Sequence, residues 1–169
     1  MQGAATAREL FDATKRLSVE GNTAFIHYNP QLLSKPENLV ATFVHELAHF
    51  LIDDLGDPPG GAELHEHATD CAAVYLGFGV FLANGARNFA QFQDAGMHGW
   101  QSDASGYLSE NALVTALAIF NRQYGFEASP TPFLKDYLRN DYTKVASYIA
   151  KKHPDIAHEI SDFDLRAWN

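Results

Sequence analysis

The sequence predicts an α+β fold that is predominantly helical and has one small sheet. Apolar residues recur mostly at helical spacing, whereas residues 23–28, TAFIHY, are the best candidate for a strand. A third observation concerns function, because the helical stretch 40–52, VATFVHELAHFLI, carries two histidines and a glutamate among apolar side chains. We therefore expect a helical scaffold whose functional residues lie on one buried helix.

The size and charge of the chain narrow the classes of function. Its 169 residues, of which 46% are hydrophobic and 20% charged, are typical of a single globular domain spanning 1–169 with a sizeable core. The net charge is 12 − 21 = −9, and no basic run is longer than Lys151-Lys152. We therefore expect neither nucleic acid nor a membrane surface as a partner.

The histidine and cysteine content indicates the kind of chemistry and the compartment. Eight histidines and one cysteine favour a metal site built from imidazole and carboxylate over a thiolate site. Cys71 has no second cysteine for an internal disulfide, and we expect it to pack inside a helix. The N-terminal segment lacks the apolar run of a secretory signal, and no window reaches the length of a membrane span. These features predict a cytoplasmic protein.

The first elements come before the functional helix. Apolar residues share one helical face over residues 5–18, which predicts a short helix. Gly21-Asn22 predicts a turn before the strand at 23–28, and Asn29-Pro30 ends that strand.

A capping box predicts where the functional helix begins. Ser34 is followed three residues later by Glu37, the pattern in which each side chain caps the other's backbone. The helix is therefore expected to begin near Lys35 and to run to about Asp54. Residues 55–61, LGDPPGG, form the clearest helix breaker in the chain.

Helical character resumes after this breaker. Residues 62–84 predict a helix in which Gly77 and Gly79 indicate close packing against another backbone. Residues 85–106 are rich in Gly, Gln and Asn, and predict an ordered loop over the site. The chain is thus divided into a metal-site half (1–84), a loop (85–106) and a helical half (107–169).

The helical half is predicted to contain several helices. Ser109 as N-cap and Gly125 at the C-terminal end bound the first of them. Thr131 is expected to cap a second helix, and Asn140-Asp141 to precede a third. A short helix follows near the end of the chain.

The sequence His45-Glu46-Leu47-Ala48-His49 has the arrangement H-E-x-x-H. On a helix the two histidines lie one turn apart on the same face and can bind one metal ion. Glu46 is rotated by about 100° from His45, so it borders the metal and can accept a proton from an attacking water. The alternative is a buried helix whose histidines are hydrogen-bonded to backbone or tyrosine groups, but that arrangement is uncommon for a histidine pair that brackets a glutamate.

A third ligand is expected from the helix that follows the breaker. Glu66 and Asp70 are four residues apart and share a face, so Glu66 can complete the site. Asp70 can then accept the outer N–H of a ligating imidazole. His65 and His67 are the alternatives to Glu66, because a site of three histidines is also sound for zinc.

The pattern H-E-x-x-H followed by Glu66-x-x-Thr69-Asp70 resembles the gluzincin metallopeptidases, the thermolysin-like zincins, and in length the minigluzincins. The resemblance implies a zincin-like fold and one Zn²⁺ per chain, held by two histidines and Glu66. It further implies that Glu46 is the general base and that Asp70 orients His45. The match covers residues 23–75, and the separation between His49 and Glu66 is tighter than is usual for the family.

The same resemblance implies how a substrate binds. An extended peptide would add to the edge strand that contains Ala24, Phe25 and Ile26, which we expect to pack on the functional helix. A further donor is needed for the oxyanion. His98 and Tyr107, which flank the glycine-rich loop, are the candidates, although each is also typical of a residue without a role in catalysis.

The sequence therefore predicts a zinc-dependent metallopeptidase that acts on a peptide or protein substrate. One alternative is a catalytically silent zincin-like regulatory or binding module with a structural metal. Another is a metal-dependent hydrolase of a non-peptide amide or ester, because a zinc site does not by itself define a substrate. The sequence makes no prediction of the oligomeric state.

Overall fold

Helices make up most of the described chain, which confirms the prediction of a predominantly helical protein. A computed structural model describes residues 17–20, 23–26, 28, 30–94 and 108–162. A π-helical turn, Val74–Phe78, joins two of the helices. In chain order the strands and α-helices are β1 (Leu17–Glu20), β2 (Thr23–Ile26), α1 (Pro36–Ile52), α2 (His65–Ala73), α3 (Gly79–Asp94), α4 (Glu110–Tyr124), α5 (Asp136–Lys152) and α6 (Ile156–Ser161).

The two strands form an antiparallel pair in which Leu17 lies opposite Ile26. The predicted strand is confirmed over Thr23–Ile26. The predicted helix at 5–18 is wrong at its C-terminal end, because Leu17 and Ser18 belong to β1. The rest of that prediction, residues 5–16, lies outside the described part. The sequence LSVE alternates apolar and polar residues before Gly-Asn, which is a hairpin pattern that outweighs the helical spacing.

The strand pair is attached to α1. The backbone of β1 lies against this helix, and the ring of Tyr28 packs edge-on against Phe43 of α1, with centroids 5.4 Å apart. The strand pair therefore lies beside the functional helix.

Helix α1 begins at Pro36, at a position where the missing N–H of proline removes no helical hydrogen bond. The residue before it is Lys35, because Ser34 ends the short 3-10 helix Pro30–Ser34. The predicted capping box is therefore wrong, because the N-cap position is Lys35, which makes no side-chain capping hydrogen bond. A 3-10 turn at Asp53–Leu55 follows the helix, close to the predicted end.

Helix α1 is buried on two faces of different character. One face carries small apolar residues, Ala41, Val44 and Ala48. The other carries the buried polar residues Asn38, Thr42, His45, Glu46 and His49. The first face packs into the core of the molecule, so it fixes the position of the second.

The predicted helix at 62–84 is interrupted by the π-helical turn. Gly77 adopts φ 92°, a left-handed conformation that favours glycine. At Gly79 a Cβ atom would lie 3.0 Å from Cδ1 of Leu117 and 3.1 Å from Cγ1 of Val74. The backbone conformation therefore favours glycine at position 77, and close packing favours it at position 79.

The prediction of a loop at 85–106 is wrong for its first ten residues, because α3 continues to Asp94. The stretch ARNFAQFQD contains several good helix formers, which outweigh a single glycine. Asn84 also anchors this part of α3 by tertiary contacts. Its amide donates to the Phe133 carbonyl (2.9 Å) and accepts from the Lys135 N–H (3.0 Å). Residues 95–106 of the predicted loop lie outside the described part.

Helix α4 packs against α2, α3, α5 and α6 and supplies much of the core. Both of its predicted boundaries are confirmed. The Ser109 hydroxyl accepts from the Ala112 N–H, and Gly125 ends the helix in the left-handed conformation at φ 63°.

Helix α5 is continuous across Asn140-Asp141, where a break was predicted. Leu138, Tyr142 and Ile149 recur on one face and are all buried, and this periodicity outweighs the local turn propensity of the Asn-Asp pair. Thr131–Phe133 forms a separate 3-10 helix.

Within the described ranges, no helix combines the length and apolarity that a bilayer crossing requires.

The core contact of α5 gives a test of the fold. We expect Leu138→Ala to lower the free energy of unfolding by about 3 kcal/mol, because this side chain is only 1% exposed and its removal leaves a cavity. The same change at Leu55, which is 78% exposed, is the control and should change stability little. Urea denaturation of both variants measures this, and equal effects at the two positions would contradict the placement of α5.

Candidate metal centre

Helices α1 and α2 pack together and bring three predicted ligands to one point. The ligand atoms of His45, His49 and Glu66 lie within 4.8 Å of one another, close enough to hold a metal ion. Glu66 Oε2 is 3.1 Å from His45 Nε2 and 3.4 Å from His49 Nε2. The two imidazoles meet edge to face, with centroids 4.7 Å apart and planes at 87°.

The depth of these side chains shows from which side the centre can be reached. His45 and His49 are buried, whereas the side chain of Glu66 is 21% exposed. The centre is therefore open on the Glu66 side and closed by α1 behind the two imidazoles.

Asp70 fixes the orientation of the first imidazole. Its Oδ1 is 2.9 Å from His45 Nδ1, and because an ionised carboxylate only accepts, the Nδ1 must carry the hydrogen. The remaining nitrogen, Nε2, then faces Glu66. The second oxygen of Asp70 accepts the backbone N–H of Leu108 at 2.8 Å, so the residue before the N-cap of α4 holds this carboxylate in place.

The second imidazole has a different partner. His49 Nδ1 lies 3.1 Å from the hydroxyl of Thr69, and that hydroxyl donates to the carbonyl of His65 at 2.8 Å. Glu66, Thr69 and Asp70 are at positions i, i+3 and i+4 of α2, so all three face α1.

The electrostatics of the cluster show strong coupling between the imidazole and the carboxylates. Burial lowers the pKa of His45, but hydrogen bonds to Asp70 and Glu66 outweigh burial and raise it to about 9. Burial raises the pKa of Glu66, but hydrogen bonds to His45 and His49 outweigh it and lower that pKa to about 2. A metal ion that binds here must therefore displace a proton from the ring of His45, whereas Glu66 is already ionised.

The donor set fits a four-coordinate zinc ion. Two imidazole nitrogens and one carboxylate oxygen are a common catalytic set, with bonds near 2.0–2.2 Å that place tetrahedral donors roughly 3.4 Å apart. The separations of 3.1 and 3.4 Å from Glu66 match this value. In each imidazole the outer nitrogen already has a hydrogen-bond partner, as is usual for metal-ligating histidine.

Glu46 lies in α1 directly after His45 and is buried. A carboxylate at this depth is costly unless it interacts with polar or charged groups. It lies about 100° around the helix from His45 and does not belong to the group of three ligands.

The alternative third ligands lie elsewhere. His65 Nε2 is 3.0 Å from Oδ1 of Asp57, so this ring is turned toward the loop that precedes α2. His67 is partly buried and does not belong to the group of ligand atoms. Of the three candidates on α2, the structure brings Glu66 to the histidine pair.

The other predicted site residues do not belong to the group of ligand atoms at this centre. His98 and Tyr107 lie outside it. Ala24, Phe25 and Ile26 form β2, and the Phe25 side chain is exposed. Their roles in oxyanion and peptide binding stay predictions.

Two contacts of the centre were not predicted from the sequence. The spacing of Thr69 from Glu66 was a usable signal, because residues i and i+3 share a helical face. The N–H of Leu108 left no signal, since any residue other than proline provides a backbone donor.

Comparison of the chain with protein-family models, with curated proteins and with solved structures gives no match.

The raised pKa of His45 predicts that zinc binding strengthens with pH. The metal must displace a proton from this ring, and the competition fades as pH rises toward about 9. We expect the affinity to increase about tenfold per pH unit between pH 6 and 8. Competition with a chelator of known pH dependence measures this, and an affinity that stays constant over that range would contradict the account.

Proposed function

We propose that the protein is a zinc-dependent metallopeptidase that hydrolyses peptide bonds. The observation that supports the proposal is the convergence of His45 Nε2, His49 Nε2 and Glu66 Oε2, with a buried glutamate beside them on α1. A structural metal needs the ligands alone, whereas Glu46 adds a group that can move a proton.

The donor set favours zinc over other common ions. Magnesium and calcium prefer oxygen ligands, and the single cysteine, Cys71, does not belong to the cluster. Ferrous iron also takes two histidines and one carboxylate. The H-E-x-x-H spacing, with a glutamate that is not a ligand, is the reason to prefer zinc.

The resemblance to gluzincins supports the reaction class. In that pattern the helix with the two histidines is followed by a helix with the glutamate and a supporting aspartate. Here α1 and α2 have this order, and Asp70 is hydrogen-bonded to His45. A zincin-like fold is part of the proposal, with the strand pair beside α1 as its small sheet.

Each residue then has a defined task. The ion would be held by His45, His49 and Glu66. When bound, it lowers the pKa of a water molecule and polarises the scissile carbonyl. Glu46 accepts the proton of the attacking water on its carboxylate and passes it to the leaving amine. Asp70 keeps the ring of His45 turned toward the centre throughout the reaction.

A peptide substrate can be accommodated by strand addition. Within the described residues β2 pairs only with β1, so its other edge has no strand partner there. An extended peptide can bind along Ala24, Phe25 and Ile26 through main-chain hydrogen bonds.

Metal content tests the third ligand. Purified without chelator, the wild-type protein should contain about one zinc per chain, and Glu66→Ala should lose most of it because one of three protein ligands is gone. His67→Ala is the matched control on the same helix and should keep its zinc. Plasma emission spectrometry measures both. Retention of zinc in Glu66→Ala with loss in His67→Ala, or iron in place of zinc, would contradict the proposed site.

Replacement of the general base tests catalysis separately from metal binding. The Glu46→Gln variant should keep its zinc. Its rate of cleavage of a quenched fluorescent peptide library should fall by at least about 100-fold, because the amide cannot accept the proton. Glu37→Gln, the same change at an exposed position of α1, should leave cleavage unchanged.

Two outcomes would contradict the proposed activity. One is equal cleavage by Glu46→Gln and the wild-type protein. The other is a wild-type protein that holds zinc and cleaves no member of the library, which would favour a regulatory module with a structural metal.

A further inference from the structure

We propose that Thr69 is a positioning residue that holds the ring of His49 in the orientation needed to bind the metal. The inference rests on the proposed metal site and concerns a residue outside the ligand set. Thr69 is 0% exposed and lies between Glu66 and Asp70 on the face of α2 that meets α1.

The direction of each hydrogen bond follows from the partners. The carbonyl of His65 can only accept, so the single hydrogen of the Thr69 hydroxyl goes to it across 2.8 Å. Toward His49 Nδ1, at 3.1 Å, the same oxygen can then only accept. Nδ1 of His49 must therefore carry a hydrogen.

This assignment leaves the lone pair of the neutral His49 ring on Nε2, the atom that lies 3.4 Å from Glu66 Oε2. A neutral imidazole has one protonated and one free nitrogen, and the free nitrogen is the one that binds a metal. Without the hydroxyl, the tautomer with Nε2 protonated is no longer disfavoured, and the ring can rotate.

The position of the hydroxyl is set by α2 itself. Thr69 bonds the carbonyl four residues earlier in the same helix, which selects one side-chain rotamer. The acceptor presented to His49 is therefore as rigid as the helix. His45 has a charged acceptor, Asp70, whereas His49 has a neutral one, so Thr69 orients its ring without adding negative charge to the centre.

Zinc affinity of matched variants tests the proposal. Thr69→Val keeps the shape of the side chain and removes the hydroxyl, and should weaken zinc binding by about 10- to 100-fold. Thr69→Ser keeps the hydroxyl and should bind within a few-fold of the wild-type protein.

Thr42→Val is the control for loss of a buried threonine hydroxyl in the facing helix. Thr42 is 3% exposed, and among the described residues its hydroxyl has no hydrogen-bond partner. Its replacement should leave zinc affinity unchanged. Equal affinity of Thr69→Val and the wild-type protein, or equal losses in Thr69→Val and Thr42→Val, would overturn the inference.

A measurement on the zinc-loaded wild-type protein covers the case in which Thr69→Val does not fold. Long-range ¹H–¹⁵N correlation spectra of the histidine rings should show His49 with a protonated Nδ1 and with Nε2 bound to the metal. Binding through Nδ1 would overturn the role of Thr69. A wild-type protein that binds no zinc would instead refute the proposed function on which this inference rests.

Discussion

The structure depends on how ionisable side chains are buried where α1 meets α2. Imidazoles and carboxylates taken out of water cost several kcal/mol each unless partners replace the lost hydration. Here the partners come from the facing helix, because His45 is bonded to Asp70 and Glu66, and His49 to Thr69. These hydrogen bonds can form in only one relative register of the two helices. The polar cluster therefore selects the helix arrangement as well as the chemistry.

The core and the candidate site share the same scaffold. Helix α1 has small apolar residues on one buried face and the polar cluster on the other. In α2 the polar residue Asp70 is followed by Ala73, and Val74 begins the π-helical turn; both of these apolar residues are fully buried. A shift of either helix that changed the packing of the core would thus displace a ligand or the side chain that supports it. The N–H of Leu108 adds a third attachment, from the start of α4 to Asp70.

Sequence patterns predicted those features that depend on local periodicity. Helical spacing placed His45 and His49 on one face and offered Glu66 as the third ligand, with His65 and His67 as alternatives. The N-cap at Ser109 followed from local chemistry. The predicted ends of helices at 84 and 140 were wrong, because burial of Asn84 and of the Leu138 face outweighs turn-forming composition. Contacts made by backbone atoms, such as that of Leu108, leave no mark in the sequence. The single-domain organisation and the zincin-like fold stay predictions.

X-ray absorption at the zinc edge of the loaded protein tests the central claim most directly. Nitrogen and oxygen should coordinate the zinc at about 2.0–2.1 Å, with the more distant scattering of two imidazole rings, those of His45 and His49. Sulfur at about 2.3 Å would place Cys71 in the site. The signature of three imidazoles would replace Glu66 by another histidine. Either result would contradict the proposed centre.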